Sequence, residues 1–355
     1  MKCKPLLLAW LALLLASPAQ AGRGPQAIRQ SVRALGMGDA FLAVSNDESA
    51  LFYNPAGLNR VETGQFEILG LQLGYNDATE FAANNSDKIA DNLDQFVGNQ
   101  VYLDLGLSYF SYTTTNFSYQ LFDSAFFDVK IYNPVIPYFG VTAFTQRGQA
   151  IGFSFGIEGD GALGIGFKKI TRTGANFGVH VSDLFSEEGI GTLDDYVEEA
   201  SAQAFDLGWM QPLGELPLLG ELQGALVWRN IGGLEFGEGG SIEESLDFGF
   251  AGTQQFQESH VTLAFDALNL RRAKPETMQN NFHYGLEWGL WPQANGRDAF
   301  ALRAGVKGVY PTWGLTLNPK YLPLTLEYAV WSEEVGRYSG AYADRRKAIR
   351  FSINF

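Results

Sequence analysis

The sequence predicts an all-β chain that closes on itself as a transmembrane antiparallel β-barrel of about 14 strands. Three observations carry that expectation. From residue 66 onward the hydrophobic period is two, in short runs set between clusters of Gly, Asn, Asp and Pro. Beyond the N-terminal leader no stretch reaches the roughly 18 consecutive apolar residues that a membrane helix needs, so a spanning chain must close its backbone hydrogen bonds as a sheet. The polar faces of the runs carry glycine and isolated charges of both signs, which suit a confined lumen better than a solvated sheet. A soluble β-sandwich alternates in the same way, but it has about seven to nine strands. Here about fifteen segments are legible, many with Tyr or Trp near the end of the apolar face, as interfacial girdles require.

Residues 1–21, "MKCKPLLLAWLALLLASPAQA", place Lys2 and Lys4 ahead of an apolar run and end on Ala19-Gln20-Ala21, the layout of a cleavable secretory signal. The only cysteine, Cys3, falls inside it, which leaves no disulfide or thiolate metal site beyond it. Formal net charge is -14, and the loss of Lys2 and Lys4 makes the remainder more acidic still. Nucleic-acid binding needs a basic face and is excluded as a class. Residues 22–64 follow, containing "RALGMGDAFLAVSNDESALFYNPAGL" (33–58), a mixture of glycine, acid and apolar residues that is neither a clean helix nor a clean strand.

The barrel is expected over 65–355. In "VYLDLGLSY", Val101, Leu103, Leu105, Leu107 and Tyr109 share one face and Tyr102, Asp104, Gly106 and Ser108 the other. The same split places Phe282, Tyr284, Leu286 and Trp288 against His283, Gly285 and Glu287, and Ile349, Phe351, Ile353 and Phe355 against Arg350, Ser352 and Asn354. Segment centres fall near residues 70, 106, 142, 154, 165, 179, 207, 226, 249, 263, 286, 303, 315, 327 and 351. Single-chain barrels have an even number of strands, so one of these is an error; 14 strands is the reading and 16 the alternative, with 113–137 the ambiguous region. Two acidic stretches, 76–100 and 182–203, read as outer loops with short helical turns; they lack the spacing of a calcium loop.

Two motifs resemble chemistry and are set aside. Gly152-Phe153-Ser154-Phe155-Gly156 has the pattern of a nucleophile elbow, but the phenylalanines continue a strand where the elbow needs a strand-to-helix turn. Gly159-Asp160-Gly161-Ala162-Leu163-Gly164 has the dinucleotide-loop spacing, but no helix follows and "EGDG" suits a hairpin turn. His180, His260 and His283 sit singly on different strands, without metal-ligand spacing. His180 shares a face with Ser182, the minimum for a barrel-embedded hydrolase, which stands as a third and weakest function class. The expectation is a non-enzyme without metal or cofactor.

Charged positions on the polar faces are the candidate lumen lining: Asp104, Glu158, His180, Asp206, Asp266, Glu287, Arg303, Lys307 and Arg350, with Lys168, Asp247 and Glu327. They fit either a network of ion pairs that fills the lumen or a lining past which a solute moves. Gly36 and Gly38 permit close backbone approach, and Asn54-Pro55-Ala56-Gly57 is a turn sequence.

On these residues the 33–58 stretch resembles the N-terminal signature of the FadL-type outer-membrane transporter superfamily, especially its PorV-like branch. "WRNIGGLEF" (228–236), "FHYGLEW" (282–288) and "ALRAGVKG" (301–308) are weaker echoes, and the terminal "IRFSINF" is similar to a strand read by the barrel assembly machinery. The resemblance implies that residues 22–64 form a hatch inside the barrel, with Gly36, Gly38, Asp39, Asn54, Pro55 and Gly57 as its structural or gating positions. It implies an outer-membrane location, lipid as the surroundings and a small hydrophobic ligand, fatty-acid-like or aromatic, with sideways exit through a kinked wall strand. Pro134 and Pro137 are the candidates for that kink. The PorV likeness implies an alternative, an anchor or shuttle for secreted protein partners.

Overall fold

A computed structural model of the chain describes residues 28–84, 100–132, 138–180, 197–272, 274–293, 295–336 and 338–355. The expected signal lies outside them, as do Pro134, Pro137 and Ser182.

The wall is a closed barrel of fourteen strands in the order β1-β16-β15-β14-β13-β12-β11-β10-β7-β6-β5-β4-β3-β2, every neighbouring pair antiparallel. The strands are β1 (Gln65–Asn76), β2 (Gln100–Thr114), β3 (Phe117–Tyr132), β4 (Tyr138–Ile157), β5 (Gly161–His180), β6 (Glu198–Leu216) and β7 (Gly220–Ile231), then β10 (Ser245–Gln255), β11 (Ser259–Ala267), β12 (Phe282–Pro292), β13 (Asp298–Lys307), β14 (Tyr310–Leu317), β15 (Leu324–Glu334) and β16 (Ala343–Asn354). A separate two-stranded hairpin, β8 (Leu234–Glu235) with β9 (Ser241–Ile242), interrupts the wall sequence. A membrane strand needs about 9–11 residues. At 20, 20 and 19 residues, β4, β5 and β6 stand well beyond that length.

The number 14 is right for two compensating reasons. The segments near 142 and 154 are one strand, as are those near 165 and 179, while β3 occupies the ambiguous 113–137 region. The polar tracts at Gln146–Gln149 and Lys168–Thr171 imitate turns in mid-strand. In β3 the alternation is blurred because aromatic residues stand on both faces, Phe122 and Phe126 turning inward. The acidic stretch from 182 also ends earlier than expected, since β6 starts at Glu198; at 76–100 the helical turn is real, α3 over Asp77–Asn84.

Alternate residues of each strand point out and in. Phe155, Leu163, Phe205, Tyr284 and Trp313 are exposed on the outer surface, whereas Tyr102, Ser154, Asp206, Asp247 and Glu287 are buried. An apolar outside of this extent on a closed sheet is what hydrocarbon contact demands. No helix among the described residues is long and apolar enough to cross a membrane. The core lies inside the barrel, where residues of the 28–64 segment pack with Phe122, Ile170, Ala225 and Val227 of the wall.

Candidate functional site

The segment ahead of β1 is built from short caps and turns. Ser31 caps α1 (Val32–Gly36) by accepting from the Ala34 N–H at 3.4 Å. Gly38 and Asp39 then take positive φ, +67° and +65°, to turn the chain back. After α2 (Ala50–Tyr53), Asn54 accepts from Ala56 N–H at 3.1 Å and donates Nδ2–H to the Leu42 carbonyl at 3.0 Å, with Pro55 opening a 3₁₀ turn over Pro55–Arg60. Gly57 lies against the Ser45 carbonyl too closely for any Cβ.

Glycine recurs on the wall where this segment touches it. Gly36 meets Gly314, whose Cα is 3.0 Å from where a Gly36 Cβ would stand. Gly285 and Gly305 make room for Met37 and Gly38, and Gly164 and Gly208 seat the Pro55–Ala56 backbone. These glycines are the footprint of the segment on the wall, while others, such as Gly106 and Gly148, face side chains of neighbouring strands. Thr312 ties it in place, accepting from Gly38 N–H at 2.9 Å and donating to the Gly36 carbonyl at 3.1 Å.

Charges complete the seat. Arg33 holds Glu287 with both arms of its guanidinium (2.8 and 2.7 Å) and reaches Asp47 at 2.7 Å, while Arg303 meets the same glutamate at 2.6 Å. Burial alone would lower the Arg33 pKa, but Glu287 and Asp47 outweigh it and raise it well above its ordinary value. Arg350 gathers Glu48 (3.0 Å), Glu67 (2.5 Å) and Glu327 (3.2 Å). Burial opposes the Glu48 charge, yet Arg350 and then Arg297 hold its carboxyl below the usual range. Asp39 accepts from the Tyr53 hydroxyl at 2.7 Å and faces Lys307 at 3.6 Å, which binds Glu333 at 2.5 Å. Asp266 Oδ2 accepts the Phe41 and Leu42 N–H groups at 2.6 and 2.9 Å. Lys168 pairs with Asp206 at 2.7 Å, and Arg229 with Asp247 at 2.5 Å. A small polar recess lined by Arg29, Glu48, Phe52, Gln72, Gln120 and Arg350 lies between segment and wall.

Of the expected lining, Asp206, Asp266, Glu287, Arg303, Lys307 and Arg350 are buried or nearly so in the bore, and Asp104 faces inward beside them on β2. Glu158 does not: β4 ends at Ile157, and Glu158 is exposed in the turn to β5. The backbone of His180 pairs with Tyr138 at the end of β5, and its side chain lies outside the described residues, as do Pro134 and Pro137. Described breaks in wall register fall elsewhere: within β6–β7 at Phe205/Leu207 and Pro212/Gly214, within β2–β3 at Ser108/Phe110 and within β1–β16 at Glu67/Leu69. Ser154 sits in mid-strand with its hydroxyl on Asn116 Oδ1 at 3.0 Å, so no elbow forms. Gly159 and Asp160, with φ of +76° and +57°, make the hairpin turn.

Arg29 and Arg33, two of the segment's own partners for the wall, escaped the sequence reading, whereas Glu48 was among the acidic residues expected to meet polar wall groups and does so at Arg350. Arg33 opens the quoted 33–58 stretch, and a lone cation in a stretch that must be enclosed was the available signal.

No family model matches the chain, and no curated protein does. Solved structures do. The monoaromatic hydrocarbon channel CymD is similar at 11% identity with a TM-score of 0.51, over 91% of this chain and 96% of that one. A mutant of the monoaromatic hydrocarbon channel TodX gives 11% identity and 0.52 over 92% and 99%. The Ralstonia pickettii toluene transporter TbuX gives 10% and 0.50 over 94% and 98%. At these identities the likeness is one of fold, extending over nearly the whole of each chain.

Proposed function

We propose that this chain is an outer-membrane barrel of the FadL-type superfamily that lets small apolar solutes, fatty-acid-like or aromatic, cross without energy input or covalent chemistry. The observation that carries the reading is a closed fourteen-stranded wall, in the fold of hydrocarbon channels, with its own N-terminal segment packed in the bore. In this reading residues 1–21 direct export, the barrel assembly machinery inserts the strand ending in Phe355, and residues 22–64 act as a hatch. Gly36, Gly38, Asn54, Pro55 and Gly57 shape that hatch, and Asp39 with the inward charges holds it. Sideways exit needs a defect in the hydrogen-bond ladder. The β6–β7 breaks supply one, and Pro134 and Pro137 remain the second candidate.

The test is accumulation of labelled toluene and of a labelled long-chain fatty acid in cells with and without the gene. Loss of the gene is expected to cut uptake of at least one several-fold, with recovery on complementation. Unchanged uptake of both sinks the reading.

A further inference from the structure

The N-terminal segment leaves the barrel at the end where strands join by short turns; Thr115, between β2 and β3, donates to the Val61 carbonyl there. Residues 232–244, which join β7 to β10, belong to the opposite end and fold inward. Their small β8–β9 hairpin and the 3₁₀ turn Gly237–Gly239 lie against β5 and β6. Leu234, Phe236 and Ile242 are buried to 0, 0 and 2% exposure in the core that Phe41 and Ile170 share, while Glu235 and Glu238 face out. The segment is therefore amphipathic across its thickness, as a cover is and a solvated loop is not.

What holds it down differs from everything else in the bore. Arg172 of β5, fully buried, has its guanidinium 3.9 Å from the Phe144 ring centre on one side and 4.2 Å from the Phe236 ring centre on the other. Its Nη1 donates to the Gly239 carbonyl at 2.9 Å and its Nη2 to Gln146 at 3.0 Å, and its Nε has no hydrogen-bond partner among the described residues. Among the described residues no carboxylate pairs with it, whereas Lys168, Arg229, Arg303, Lys307 and Arg350 each have one. Further holds are Glu198 of β6, which accepts the Glu238 N–H at 2.9 Å, and Asn230 of β7, whose side chain donates to the Glu243 carbonyl at 3.4 Å. At the β7 end stand Gly232 and Gly233 with φ of +91° and +74°, and a Cβ at Gly232 would meet nothing within 4 Å.

We propose that residues 232–244 are a second closure of the bore, a lid that swings as a unit on Gly232–Gly233 and is latched by Phe236 closing over Arg172. The two closures differ in build. The N-terminal segment is seated by carboxylate pairs and by backbone pressed into glycine, so freeing it exposes several unpaired charges at once. The lid is held by the stacked Phe236 ring, by the burial of Leu234 and Ile242, by the Gly239 carbonyl and the Glu238 N–H, and at its β10 end by Arg271 on Glu244 at 3.3 Å; the one wall charge that lifting it uncovers is Arg172, whose hydration offsets part of the loss. The lid is the part of the bore that opens first, whatever solute passes.

The experiment needs no transport assay, so its outcome is separable from the proposed solute path. In a Cys3→Ser background, Leu234→Cys reports the lid and Leu51→Cys the N-terminal segment; both leucines are buried to 0% exposure. Maleimide labelling of the detergent-purified barrel is expected to be more than tenfold faster at position 234 than at 51. Adding Arg172→Met is expected to speed the lid site about tenfold and leave the other unchanged. Retained heat-dependent electrophoretic mobility certifies the closed barrel; should Arg172→Met fail it, Arg172→Lys, which keeps the charge and loses the stacking plane, takes its place. Equal rates at the two cysteines, or a lid rate indifferent to Arg172, overturn the proposal.

Discussion

Glu48 shows how one side chain can tie the enclosed segment to the wall at a pH-dependent strength. Its carboxylate lies between Arg350 at 3.0 Å and Arg297 at 3.9 Å. A folded-state pKa held below the ordinary 4.5 means the charged form is bound more tightly than the neutral one, so this contribution is whole above pH 4.5 and lost as the pH falls further. Acidification is expected to loosen residues 28–64 by on the order of 1–3 kcal/mol through this group. Protease nicking of the segment measured from pH 7 down to pH 3 checks it: the wild-type protein should become sensitive in the acid limb, and Glu48→Gln should be sensitive already at neutral pH with a flatter profile. The wall charges were legible because period-two alternation fixes which residues face inward, and Asp206, Asp266, Glu287 and Arg350 all follow it. Arg33, the partner of Glu287, was not: it belongs to a stretch with no period, and Glu287 lies 254 residues beyond it.

Among the elements, the irregular segment depends on backbone contacts that no side chain can replace. Gly38 has φ of +67°, and a Cβ there would stand 2.5 Å from the Tyr284 carbonyl oxygen and 2.7 Å from that of Val306, both of them wall backbone. Gly38→Ala therefore adds left-handed strain to overlap that β12 and β13 cannot relieve by turning a rotamer. A loss of about 2–4 kcal/mol is expected, read as a lower midpoint in thermal unfolding, while Gly106→Ala, whose Cβ would meet only the Gln72 Cβ at 3.3 Å, should cost much less. Turns and strand identities were readable where chemistry is local, as at Gly159–Asp160. Strand lengths were not, because Gln146 and Arg172 are inward polar residues that bond to each other, Gln146 also to the Ile28 carbonyl and Arg172 to the lid, and a polar tract with partners distant in sequence looks like a loop in one dimension.

At the scale of the whole molecule, the outward apolar surface and the filled interior divide the sequence into two solvents. Leu286, near the middle of β12, is 39% exposed on the outer face. Leu286→Arg is expected to destabilise the inserted barrel by about 2–4 kcal/mol, measured by reversible unfolding in lipid vesicles, whereas the same change on a water-facing sheet would be nearly neutral. The pairing of β1 with β16 is the seam of the barrel. The ring of hydrogen bonds shuts only when residues 343–354 of β16 reach residues 67–76 of β1, the first strand of the wall. Residues 28–64 precede every strand of the wall in the chain. In the closed ring their backbone donors and Arg33 are the partners that the inward carboxylates of Asp266 and Glu287 find, so the seam shuts around a filling that neutralises the wall from within.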